Sequence, residues 1–127
     1  MVRIEGAARE VLEKTEWLAL ATVSPQGPHV VATWGDYVRR LGLDGPVLLL
    51  PAGAYHQTEK NLQADDRVEL LCGSRQVAGA NGPGNGCSIR GRGRMEMSGS
   101  NFAAVKAQFP WARAALVVQV VEVQTQL

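Results

Sequence analysis

From Gly73 to Gly86 the chain reads GSRQVAGANGPGNG, five glycines and one proline in fourteen residues. A run with so little side chain cannot fill a core, so it is either slack loop or a place where the backbone itself lies against something. Two nucleotide-binding patterns fail on it. Cys87 stands where the GxGxxG pattern begun by Gly82 and Gly84 needs its third glycine, and no lysine follows Gly84 as a Walker loop requires. The chemistry that survives is weaker: successive N–H groups in such a turn can cradle an anion, and bare backbone lets a flat ring come close.

Other groups with chemical potential are sparse. His29 and His56 lie far apart, each without a neighbouring ligand at metal spacing. No GxSxG elbow presents a nucleophilic serine, although such groups meet in space and not in sequence. Cys72 and Cys87 are the only cysteines, too widely spaced for CxxC and too few for a zinc set, so they read as reduced apolar thiols of a cytosolic chain. Arg90, Arg92 and Arg94 recur at period two, a basic row that could follow a phosphate backbone or simply face solvent. Trp17, Trp34, Trp111, Tyr37 and Tyr55 are many large amphipathic rings for a small core, suited either to packing or to stacking on a flat cofactor.

One domain must position these groups, since 127 residues suffice for a single core. A net charge of +1 gives no overall attraction to nucleic acid or anionic membrane. Charges from Arg3 onward leave no secretory apolar segment, and no run approaches membrane-spanning length, so a cytoplasmic protein is expected.

Apolar residues at helical spacing with charges between them predict an amphipathic helix over 3–16. WLALATV, SPQGP and HVVATWGDYV read as a β-hairpin, VLLLP as a strand buried on both faces, and HQTEKNLQADD as one or two helical turns. Strands follow at Arg67–Cys72 and Ser88–Met97, the latter with Arg90, Arg92, Arg94 and Glu96 on its wet face. A helix capped by Ser98 or Ser100 carries Phe102, Val105 and Phe109 inward, and AALVVQVVEV is the last strand. Hairpin links with single crossing helices predict an α+β, mainly β protein: an antiparallel barrel or strongly curled sheet with helices at its ends.

HVVATWGDY, AYHQTEKN, GSRQVAGANGPGNG and FPWARAALVV, taken together, resemble the small FMN-binding proteins of sulfate-reducing bacteria. These belong to the pyridoxamine 5′-phosphate oxidase-like split-barrel superfamily, and the resemblance runs from about Glu10 to Leu127. It implies a six-stranded antiparallel split β-barrel with flanking helices, forming a homodimer with FMN held noncovalently near the interface. It also implies that Val77, Ala78, Gly79, Asn81, Gly82, Pro83 and Gly84 bring bare backbone to the flavin ring system. Thr33 and Trp34 match the TW pair beside the flavin, Tyr37 a nearby aromatic, and Trp111 a ring near the isoalloxazine. Leu127 matches a carboxyl-terminal leucine that reaches the flavin from the other subunit. For the phosphate, Thr58 at a helix start is the first contact expected, with Ser74 and Arg75 next and Glu16 matching an acidic position nearby.

Two positions depart from the family pattern. Gln57 stands where a phosphate-pairing lysine is expected, and Ala32 where relatives can have asparagine. A charge-assisted bond lost there costs roughly 1.5–3 kcal/mol unless Lys60 or Arg75 replaces it. The function implied is a small redox carrier or oxidoreductase with a redox protein partner. The alternatives are a flavin store or sensor without turnover, a pyridoxamine 5′-phosphate oxidase-like enzyme, or F420 or haem on the same fold.

Overall fold

The computed structural model describes residues 2–127. Four helices and six strands follow one another along the described chain: α1 (Gly6–Lys14), β1 (Trp17–Ser24), β2 (Gly27–Trp34), α2 (Gly35–Leu41), β3 (Leu48–Ala52), α3 (His56–Ala64), β4 (Arg67–Gly79), β5 (Gly82–Glu96), α4 (Ser100–Gln108) and β6 (Ala114–Thr125). The strands form one sheet in the order β2-β1-β4-β5-β6-β3, and every neighbouring pair is antiparallel. The end strands β2 and β3 do not pair, so the curled sheet stays split.

Alternation sets the core. Leu20, Leu70, Ile89 and Val123 stand in one row across four strands. The amphipathic α1 lays Ala8, Val11 and Leu12 on this face. The run Ala114–Val118 is buried without a break because β6 has two covered faces. Leu116 and Val118 enter the main core, while Ala115 and Val117 join Val105 and Phe109 beneath α4. No described helix is long and apolar enough to cross a membrane.

Several elements differ from the sequence expectation. The first helix is shorter at both ends; at its carboxyl end the buried Thr15 turns the chain, its hydroxyl donating to the carbonyls of Trp17 and Gly73. The hairpin strand expected to run on through GDYV ends at Trp34, where α2 begins. Gly35 makes that turn: its N–H reaches the Glu16 carbonyl at 2.9 Å, and a Cβ there would overlap the Thr15 carbonyl oxygen. Neither Ser98 nor Ser100 caps α4. Gly99 does so by backbone shape alone, at φ 92°. The largest difference is the glycine run, which is not a loop. It forms the outer halves of β4 and β5, joined by a turn at Ala80–Asn81.

Candidate functional site

A cleft of about 670 Å³ opens between the end of β2 and the link from β3 to α3, within the size range of cofactor pockets. Thr33, Trp34, Tyr37, Gly53, Tyr55 and Trp111 line it. Trp34 and Trp111 are each 51% exposed, and so much bare indole surface is unusual unless something covers it.

The rings are held from behind. Tyr37 packs on Phe109 with centroids 4.8 Å apart, and both rings lie 5.7 Å from Trp111. The Arg40 guanidinium sits 4.4 Å above the buried Phe109 ring. Gly53 lets Trp111 lie over the chain: a Cβ there would stand 3.2 Å from the indole carbon Cζ3.

Tyr55, which the sequence offered only as one of several large rings and matched to no ligand contact, joins the cleft to α3. It is the one non-glycine residue with positive φ among those described, at 58°, a strained conformation that tends to collect at functional sites. Its hydroxyl donates to the Ala32 carbonyl. Burial raises its pKa above the usual phenol value, so the group stays neutral.

At the start of α3 the first amide N–H groups have no intrahelical acceptor. Thr58, in that first turn, is fully buried, and its Oγ1 has no hydrogen-bond partner. Gln57 is exposed, and its Nε2 donates to Asn61 Oδ1 at 2.7 Å, while Asn61 Nδ2 donates to Thr22 Oγ1 at 3.0 Å. Arg113 fixes this corner. Its Nε and Nη2 donate to the Ala54 carbonyl at 3.0 and 2.6 Å, and Nη1 pairs with Glu59 Oε1 at 2.9 Å. Arg113 is thus an internal brace of this corner.

The glycine hairpin forms a second group that does not line this cleft. Ser74 Oγ accepts from the Gln76 N–H at 3.1 Å, and the ladder slips register between Ser74 and Ala78. Arg75 lies against Gly84, and Val77 turns into the core at 3% exposure. The turn residue Asn81 and the paired Gly82 and Pro83 form the tip, with Ala78 opposite Pro83 and Gly79 opposite Gly82. The carboxyl terminus packs on the same hairpin: Ala80 N–H donates to the Leu127 carbonyl at 3.2 Å, and Leu127 N–H donates to Asn85 Oδ1 at 3.1 Å. A Cβ on Gly79 would overlap the Gly84 carbonyl and crowd the Leu127 carbonyl. The Leu127 side chain remains exposed.

Glu16 lines the aromatic cleft beside Trp17. Each arginine of the basic row faces a carboxylate: Arg90 faces Glu69 and Glu122, Arg92 faces Asp66, and Arg94 faces Glu96. That face therefore presents paired charges and no bare polycation.

The family model described as pyridoxamine 5′-phosphate oxidase matches residues 4–126. A protein of Nitratidesulfovibrio vulgaris (strain DSM 19637 / Miyazaki F) named FMN-binding protein is 44% identical over 124 residues, covering 98% of this chain and 99% of its own. Among solved structures, HupZ of Group A Streptococcus superposes with a TM-score of 0.77 at 16% identity, over 97% of this chain and 99% of that one. An FMN-binding protein of Syntrophomonas wolfei subsp. wolfei gives 0.65 at 15% identity, over 94% and 88%. At these identities the structural likeness concerns the fold alone.

Proposed function

We propose, for a chain that belongs to the pyridoxamine 5′-phosphate oxidase family, that it binds FMN noncovalently and serves as a small redox carrier or oxidoreductase. The observation that carries this reading is the pairing of two environments in one corner. Two exposed indoles border a cleft of about 670 Å³, and next to it the α3 amino terminus holds the orphaned, buried Thr58 hydroxyl. A flat ring suits the first, and a phosphate suits the second. The 44% identical relative, itself named an FMN-binding protein, supports the same ligand.

In this reading Trp34 and Trp111 cover the ring system, and Tyr37 with Phe109 holds Trp111 in place. Thr58 Oγ1 and the N–H groups of the first turn take the phosphate. Bound flavin supplies reversible electron transfer, which the chain's own residues do not provide. Among the described residues lining the cleft only Glu16, Tyr37 and Tyr55 titrate, with no histidine, lysine or arginine. That poverty of acid and base groups favours a carrier over an enzyme that moves protons on an organic substrate.

The hairpin residues from Ser74 to Gly84, and Leu127, reach a flavin through a second copy of the chain. The outer sheet face supports such a homodimer, since Val30 is 58% exposed, Leu71 45% and Val121 55%. The test is the visible absorption spectrum of protein purified without added cofactor, followed by identification of the released chromophore. Flavin bands with FMN set free on heating are expected. A colourless protein that also ignores added FMN overturns the reading.

A further inference from the structure

Cys72 on β4 and Cys87 on β5 are direct partners across the antiparallel ladder. Opposed residues there have Cα atoms about 4.5 or 5.5 Å apart, depending on the rung, and both separations fall within the span a disulfide accepts. Partners in register point to the same face, here the core: Cys87 is fully buried and Cys72 is 7% exposed. Both are free thiols. The Cys72 thiol donates to the Cys87 carbonyl at 3.8 Å, so its sulfur leans toward the partner residue. A hydrogen bond with the Cys87 thiol, and then burial, hold the Cys72 thiol protonated well above the usual range.

The pair stands at the base of the glycine hairpin and encloses its fourteen residues, Gly73–Gly86. The same segment anchors the carboxyl terminus, because Gln126 N–H donates to the Gly86 carbonyl at 3.0 Å and Leu127 N–H to Asn85 Oδ1.

We propose that Cys72 and Cys87 are a redox-modification site, a dithiol that hydrogen peroxide converts to an intrachain disulfide across the hairpin base. Peroxide oxidises one thiol to a sulfenic acid and leaves as water. The second thiol then displaces the sulfenic hydroxyl, losing its proton, and a second water departs as the S–S bond forms. Two thiols and one peroxide thus give one disulfide and two waters. Small thiols reverse the step by exchange. The bond fastens the hairpin and the tail it holds. This goes beyond the flavin reading and does not rest on it, since neither cysteine lines the cleft.

The test treats the full chain with a small excess of peroxide, alkylates it in denaturant and maps the digest, with oxidation at Met95 and Met97 scored separately. The expected product is a linked pair of peptides carrying Cys72 and Cys87, about 2 Da lighter than their reduced sum and separated again by dithiothreitol. Hydrogen exchange across Gly73–Gly86 should slow by about twofold or more. Two cysteines still alkylated, a sulfinic acid at either, or a disulfide joining two chains overturns the proposal. In a Cys72→Ala/Cys87→Ala chain, peroxide should leave hairpin exchange unchanged; the same slowing there assigns the effect elsewhere and also overturns it.

Discussion

The aromatic cleft and the glycine hairpin are built in opposite ways. In the cleft, side chains position side chains: Phe109 and Tyr37 hold Trp111, and Arg113 braces the turn below it. In the hairpin, the main chain and one buried side chain do the positioning: the Leu127 carbonyl accepts from the Ala80 N–H and its N–H donates to Asn85 Oδ1, where no Cβ intervenes on Gly79. The first can be tuned by single residue types. The second depends on the Asn85 amide, which bonds Ala78, Gly86 and Leu127, and on the missing side chain at Gly79. A region that recognises by surface and a region that recognises by shape therefore carry different mutational signatures.

Phe109→Ala should have the largest effect, a loss of about 3–5 kcal/mol in unfolding free energy by urea denaturation, because the ring is buried and supports both Tyr37 and Trp111. Gly79→Val strikes the other region. It should cost about 1–3 kcal/mol and speed amide exchange at Gln126 and Leu127; a variant whose tail stays protected would break the distinction between the regions.

Gln57→Lys should tighten FMN binding by roughly tenfold in a fluorescence titration, and an unchanged affinity would mean that another cation already meets the phosphate. Thr58→Val sharpens the comparison through opposite signs. Removing an orphaned buried hydroxyl should raise the stability of the flavin-free chain by about 1 kcal/mol, yet weaken FMN binding about five- to tenfold. Tyr55 gives the smallest effect. Burial raises its pKa in the folded chain above the value of 10.0 it has when exposed. Its neutral form is thus favoured by folding, so stability is full below pH 10 and falls as pH rises through the raised value. Tyr55→Phe should flatten that alkaline limb in urea midpoints.

The sheet was legible because alternation in WLALATV, RVELLC and SIRGRGRMEM survives translation into a buried row. The outer halves of β4 and β5 were not legible as strands, since glycine-rich sequence lacks the branched side chains that signal a strand, while ladder hydrogen bonds need only backbone. The helix α2 was hidden for a local reason: GDYV is too short to show a helical period, and the chain turns where Gly35 approaches Thr15 closely. In the candidate site, Thr33, Trp34, Tyr37 and Trp111 were named beforehand and meet in one cleft. Tyr55 was noted only as one of several large rings and Gly53 was not named, because their roles depend on a left-handed backbone and a ring contact that no spacing reveals.

The most direct measurement is a titration of the chain with FMN, followed by tryptophan emission and repeated on a Trp34→Phe/Trp111→Phe double variant. Saturable quenching in the native sequence, with affinity about tenfold or more weaker in the double variant, is the expected result. FMN bound as tightly by the double variant as by the native chain would contradict the cleft as the flavin site.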